Sequence, residues 1–297
     1  MNTSAANPLD IRWLRRSFDR AAATYDGAAV LQSEVREALL ARLDLTALAP
    51  RVVLDAGAGT GHASRALKRR YPGARVVALD FALGMLRAAA GQRTWFRPFA
   101  RVCADAARLP LPDGSVDLIL SNFMLAWTDP GPVFAECRRV LAPRGLLTFT
   151  SFGPDTLREL RAAWAQVDTR SRVHSFLDMH EIGDALVHAG LAAPVLDVER
   201  YTVSYADVRG LAADLKAVGA RNAAADRLKG LTSPRKFAAM QAAYERYRRE
   251  GRLPATYEVV FGQAWAPAEA PRGAIGEDNR ISLQDVKRQL RRRRTSG

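Results

Sequence analysis

Three carboxylates and one amide, Asp55, Asp80, Asp105 and Asn122, stand at the ends of successive segments of strand length, and Gly57, Gly59 and Gly61 follow the first of them. Residues Val52 to Ser64 read V-V-L-D-A-G-A-G-T-G-H-A-S, which predicts a short strand, a tight turn and a helix start without breakers. Glycines in such a turn allow positive φ and let a ligand lie against bare backbone. Asp80 comes nineteen positions after Gly61, at the end of the second strand, where nucleotide-binding sheets carry an acid for ribose hydroxyls.

Two ligand classes fit a glycine turn followed by such an acid. A dinucleotide needs its pyrophosphate at the helix N-terminus, usually with G-x-G-x-x-G and no acid just before it. Here Asp55 precedes the turn and the spacing is G-x-G-x-G. An anion there repels a pyrophosphate and suits the ammonium of a methionine group, so the pattern predicts S-adenosylmethionine rather than NAD. The turn residues Asp55, Ala56, Gly57, Gly59 and Gly61 are then cofactor-binding, with Asp80 on the ribose. Asp105 can accept from the adenine amino group with the Ala106 backbone beside it. Asn122 and Phe123 fall at the carboxyl edge of the fourth strand, where ligands sit in such sheets.

These groups converge only if their strands lie side by side. Arg75–Asp80, Ala100–Asp105, Val116–Asn122 and Leu146–Thr150 read as strands two to five, with helices from Gly84 and over Val133–Val140 between them. Two later strands are expected at Val195–Tyr205 and Thr256–Trp265. The alternation predicts an α/β fold with a doubly wound, mostly parallel seven-stranded sheet. Residues 1–50 are expected as an N-terminal helical segment, helical over 9–48 with a break at Tyr25-Asp26-Gly27. Residues 51–152 form the expected cofactor-binding core, 153–265 helical lid insertions with the last two strands, and 266–297 a basic tail. The lid helices are Thr156–Val167, Met179–Ala189 and a block over Val208–Arg249 punctuated by Gly219, Gly230 and Pro234; Ser282 to Asp285 resembles a capping box.

With 297 residues, 48% of them hydrophobic, the chain can bury a substantial core. It has no apolar run of membrane-spanning length, and Met1-Asn2-Thr3-Ser4 lacks a signal-peptide pattern. Its two cysteines, Cys103 and Cys137, and its four histidines show no metal or redox spacing, so a cytoplasmic protein without a metal is expected. The net charge of +13, raised by Lys287, Arg288 and Arg291 to Arg294, suits nucleic acid, an acidic protein or anionic lipid. Nucleic acid is not the expected one. Ser121-Asn122-Phe123-Met124 replaces the N/D-P-P-Y/F of many enzymes that methylate nucleic-acid amines.

From Val52 to Phe152 the chain resembles class I S-adenosylmethionine-dependent methyltransferases. Phe18 to Asp26 (F-D-R-A-A-A-T-Y-D), Ser121-Asn122 with Trp127, and Thr150-Ser151-Phe152-Gly153 before Leu157-Arg158-Glu159-Leu160 are similar to a narrower family. So are Leu215-Lys216 before Gly219-Ala220, and Pro254-Ala255-Thr256-Tyr257. That family is the malonyl-acyl-carrier-protein O-methyltransferases of biotin biosynthesis, and the likeness runs from about residue 15 to 265. It implies methylation of the free carboxylate of a malonyl group on acyl carrier protein. It also implies roles for Tyr25, covering the methionine end of the cofactor, and for Lys216, clamping the carboxylate. Trp127 would line the cofactor or acyl pocket, with Phe81 and Met85 beside the cofactor. Arg221, Arg227, Lys229, Arg235 and Lys236 would offer a basic rim to the acidic carrier. A sister branch, the mitochondrial complex I assembly factors, shares part of the pattern, and Pro271-Arg272-Gly273 resembles it. Action on a protein side chain, or on another small carboxylate, is therefore the alternative.

Overall fold

In a computed structural model of the chain, the structure describes residues 9–92, 98–169, 172–225, 230 and 232–268. Arg227, Lys229, Pro271 to Gly273, the Ser282–Asp285 capping box and the arginine run of the tail lie outside them. Three helices lead, α1 (Ile11–Ala21), α2 (Tyr25–Ala28) and α3 (Val30–Arg42). The alternating part follows as β1 (Val52–Ala56), α4 (His62–Arg70), β2 (Arg75–Asp80), α5 (Leu83–Ala89), β3 (Ala100–Cys103), β4 (Val116–Asn122), α6 (Pro130–Val140) and β5 (Leu141–Phe152). Then come α7 (Arg158–Ala165), α8 (Met179–His188), β6 (Ala192–Tyr205), α9 (Val208–Ala217), α10 (Pro234–Glu245) and β7 (Leu253–Trp265).

The seven strands form one sheet in the order β3-β2-β1-β4-β5-β7-β6. Pairings from β3 through β5 are parallel, whereas β7 lies antiparallel to both β5 and β6. Strand order reverses between β1 and β4, so a crevice opens at the carboxyl ends there. Burial on both faces explains the continuous apolar runs. Val53, Leu118 and Leu120 pack with Val35 and Leu39 of α3 on one side, while Leu54, Ile119 and Leu147 pack with Phe134 of α6 on the other.

Several boundaries differ from expectation. β3 ends at Cys103, so Asp105 sits in the turn beyond it, where its Oδ1 accepts from the Ala107 N–H at 2.9 Å. The Pro143-Arg144-Gly145 turn does not precede the fifth strand but lies inside it. Val116 pairs with Leu141 and Leu118 already with Leu146, so the intervening residues bulge out, with Arg144 at φ 62. The break in the first helical segment falls at Ala22 to Thr24, and Tyr25 starts a separate short helix. Among its described residues, Val208–Arg249 holds two helices. α9 is followed by Gly219 at φ +76, and α10 starts at Pro234 after the Ser233 cap.

The leading helices reach across the molecule. Asp19 Oδ1 accepts from the Gly84 N–H at 2.7 Å, and a Cβ at Gly84 would stand 2.8 Å from the Asp19 carbonyl oxygen, so only glycine lets α1 approach α5 this closely. On their other flank, the Ser17 hydroxyl donates to the Gly219 carbonyl at 3.1 Å and the Thr24 hydroxyl to the Ala217 carbonyl at 2.9 Å. The Asp10 N–H donates to the Ala223 carbonyl at 2.9 Å. The same helices thus touch both the carboxyl edge of the sheet and the segment after α9.

Candidate functional site

At the crevice beside β1, a cavity of about 260 Å³ is lined by Tyr25, Gly57, Gly59, Asp80, Phe81, Met85, Asp105, Ala106, Asn122, Phe123 and Trp127. A smaller chamber of about 150 Å³ shares Tyr25, Gly57, Gly59 and Asn122 with it and adds Asp55, Gln32, Ser33, Arg36, Thr60 and His62. Of the predicted cofactor residues, Ala56 and Gly61 line neither space. Gly61 is instead a packing position, with φ +83 and the Ala89 Cβ 2.8 Å from where its own Cβ would be.

Asp80 is 6% exposed, and its carboxylate accepts from the Gly59 N–H at 2.9 Å and the Ala82 N–H at 2.8 Å. Burial pushes its pKa up to about 6, against the pull of those two donors. Asp55 is buried more deeply, and the Ser64 hydroxyl donates to it at 2.5 Å. Burial first, then the charge of Asp80, raises it to about 7 despite the Ser64 bond. Tyr25 is half-buried above them, and burial beside Asp80 and Asp26 lifts its phenol above the ordinary range, so it stays protonated at neutral pH. Asp26 holds α2 down: it accepts from the Thr60 hydroxyl at 2.6 Å and stands 3.1 Å from His62 Nε2.

Asn122 joins three elements. Its amide donates to the Gln32 carbonyl at 3.0 Å and accepts from the Thr150 hydroxyl at 2.9 Å. Phe123 next to it has φ 61, an uncommon conformation for an aromatic residue, held by its N–H donating to the Thr150 side chain and carbonyl. That turn stacks Phe123 on Phe152 at 4.2 Å.

A second cavity, about 660 Å³, shares Trp127 with the first and Gln32 with the chamber. Its walls are Phe152, His174, Phe176, Tyr205 and Tyr257, with Arg172, Lys216 and Arg221 as cations. Trp127 stacks on His174 at 5.9 Å and meets Phe18 and Phe176 edge-on. Burial, then Arg161, lowers His174 to about 4, so this imidazole is neutral near pH 7. Arg172 is the most enclosed cation of the wall, its side chain 13% exposed, paired with Asp168 at 2.6 Å and lying over the Trp164 ring. Its buried Nε–H has no hydrogen-bond partner among the described residues. Lys216 is exposed at the rim, away from the cofactor residues.

The sequence reading missed Arg36, Gln32, Arg172, His174 and Phe176. Ser33 and Arg36, one turn apart on α3, left a helical signal; the loop residues around 172–176 left none. Gly57 and Gly59 separate fold from binding. At Gly57, φ is +75 and a Cβ would stand 2.5 Å from the Met124 Cβ; at Gly59, φ is +53 and nothing lies within 4 Å. Gly57→Ala is expected to lower the melting temperature by roughly 5 °C or more. Gly59→Ala should cost only about 1 kcal/mol of stability and weaken ligand binding about tenfold. Thermal melts and calorimetric titration of both variants check the contrast.

Residues 54–149 match a family described as a methyltransferase domain. The chain is 54% identical over 272 residues to the malonyl-acyl-carrier-protein O-methyltransferase of Methylovorus sp. strain MP688, covering 89% of this chain and 92% of that protein. To the protein of that name in Laribacter hongkongensis it is 50% identical over 277 residues (90% and 93%), and to that in Halorhodospira halophila 47% over 296 residues (98% and 100%). Among solved structures, the YcgJ protein of Bacillus subtilis superposes with TM-score 0.57 at 16% identity, over 79% of this chain and 99% of that one. A methyltransferase-like protein of Bacillus halodurans gives TM-score 0.55 at 18% identity, over 77% and 98%. At these identities the superpositions establish the fold alone.

Proposed function

The chain belongs to the malonyl-acyl-carrier-protein O-methyltransferase family, and from that premise we propose that it moves a methyl group from S-adenosylmethionine to the free carboxylate of a malonyl thioester on acyl carrier protein. The observation that carries the reading is that the space along the glycine turn and Asp80 meets, at Trp127 and Gln32, a second cavity walled by aromatic rings and Arg172.

The donor residues fit S-adenosylmethionine. The space into which a Gly59 Cβ would project is open, and Asp80 beside it offers a carboxylate for two ribose hydroxyls. Phe81, Met85 and Ala106 offer apolar walls to an adenine, and Asp105 keeps one oxygen free of the Ala107 bond for its amino group. Arg36 and Asp55 at the chamber suit the carboxylate and ammonium of the methionine end. When bound, S-adenosylmethionine supplies an electrophilic methyl on a sulfonium whose positive charge vanishes as the ester forms.

This chain's residues then have three tasks. A malonyl carboxylate is ionised near pH 7, so no general base is required and neither the neutral His174 nor the protonated Tyr25 has to move a proton. Phe123, Phe152, Phe176 and Trp127 exclude water, and a low local dielectric favours a step in which opposite charges disappear. Arg172 orients the carboxylate by a charge-assisted hydrogen bond, while Tyr25 closes the donor side. Lys216, the clamp implied by the resemblance, is assigned to the rim instead because it is exposed. α9 and the segments around it act as the lid.

Purified protein with methyl-labelled S-adenosylmethionine is expected to label malonyl-carrier protein in a base-labile ester, and to leave acetyl-carrier protein unlabelled. Tight donor binding with no label in the malonyl form would overturn the reading.

A further inference from the structure

We propose that a basic cleft between α1 and α9 binds the phosphate of the acceptor's pantetheine arm; this deepens the thioester reading and rests on it. The cleft is bounded by Trp13, Arg16 and Arg20 on one side and by Lys216 and Arg221 on the other. No acid lines it among the described residues. Arg16, Arg20, Lys216 and Arg221 are all exposed, and none has an ion pair among the described residues. Arg12, Arg69 and Arg235 are exposed without an ion pair among the described residues too; what distinguishes Arg16, Arg20, Lys216 and Arg221 is that they line one hollow with no acid among its described residues. The nearest acid on α9, Asp214, hydrogen-bonds Tyr205 in the acceptor cavity instead. Four like charges around one hollow repel one another, and an anion placed among them relieves the repulsion.

The cleft's position identifies the anion. Lys216 and Arg221 line both the cleft and the acceptor cavity, and Trp127 lines both that cavity and the donor site, so the three spaces run in series. A malonyl group carried on a pantetheine arm has two anionic ends, the carboxylate and the phosphate, joined by an uncharged thioester chain. With the carboxylate at the Trp127 end, the phosphate falls to the rim, where arginine forks match its oxygens. The hydrogen bonds from Ser17 to Gly219 and from Thr24 to Ala217 fix the backbone on the two sides of the cleft relative to each other, so the hollow exists before the ligand arrives.

The test compares two malonyl thioesters that differ only in the phosphate, those of 4′-phosphopantetheine and of pantetheine, by calorimetric titration of the full chain. The phosphorylated form is expected to bind about tenfold more tightly, an advantage that shrinks in high salt. Arg16→Ala/Arg20→Ala should remove most of that difference, and Arg16→Glu/Arg20→Glu should invert it, with melting temperatures near that of the wild type because both side chains are exposed. Equal affinities in the wild type, or a difference that the variants keep, would overturn the proposal. So would a short single-stranded RNA that binds the cleft as tightly as the phosphorylated thioester. If malonyl-carrier protein is methylated and the affinities are equal, this proposal alone fails. If neither thioester binds and the carrier protein stays unlabelled, the thioester reading fails with it.

Discussion

Replacing Asp80 by alanine is expected to lower the affinity for S-adenosylmethionine by about 100-fold or more, measured by calorimetric titration. A buried carboxylate that accepts from two ribose hydroxyls makes charge-assisted hydrogen bonds worth about 1.5–3 kcal/mol each, and the alanine loses both. Asp80→Asn is the cleaner variant, because an amide oxygen can still accept from Gly59 or Ala82 and hold the turn. It too should bind weakly, by about tenfold. The raised pKa adds a pH signature. Asp80 must be ionised to accept from both hydroxyls, so wild-type affinity should climb as pH rises through about 6, and Asp80→Asn should lack that part of the climb.

Stability of the ligand-free protein should move the other way. A carboxyl raised above its ordinary value holds its proton more tightly in the folded state, so ionisation favours unfolding. For Asp80 that contribution is lost between about 4 and about 6, and for Asp55 between about 4 and about 7. Melting temperature should therefore fall over this window through these two groups, while the stabilisation conferred by added donor grows. An affinity that is flat with pH, or unchanged by Asp80→Ala, would remove Asp80 from the donor site.

Trp127→Ala is the second substitution expected to act strongly. The indole forms the partition between the two cavities and is held by Phe18, His174 and Phe176. Its loss would join the cavities, admit water between donor and acceptor, and free the acceptor to take unproductive poses. A misplacement of about 1 Å can cost on the order of 100-fold, and kcat/KM should fall by about that amount. Donor affinity should change much less, because Asp80 and the glycine turn remain. Trp127→Phe keeps an aromatic ring against His174 and should recover most of the turnover. Near-normal kcat/KM in the alanine variant would show that the partition is not needed for catalysis.

How these residues could be found differs in kind. Asp55, the glycines, Asp80 and Asn122 were legible because each sits at or just after the end of its own strand. In a parallel sheet, strand ends fall on one edge without further information. Asp105 was found for a reason that proved slightly wrong, since the strand stops two residues earlier and a turn carries the carboxylate. Gly61 shares the local pattern of Gly57 and Gly59 but packs against Ala89 and lines neither cavity, a difference visible only in the structure. Lys216 was picked from a motif as the carboxylate clamp; in the structure it lines both the second cavity and the cleft.

By itself the sequence determined the methyl-donor half of this protein: a parallel α/β sheet, a glycine turn and acids at successive strand ends, all properties of short segments. Only the tertiary structure decided the acceptor half. That cavity draws on residues around 28–32, 127, 152–176, 203–221 and 257, which no local periodicity relates. They meet because β7 inserts antiparallel between β5 and β6, bringing Tyr257 opposite Tyr201 and beside Phe152, and because α1 and the turn before α2 bond to the end of α9 and the residues after it. Strand ends are a local consequence of where an apolar run stops, whereas the walls of a cavity between distant segments depend on packing that exists only once the whole chain has closed on itself.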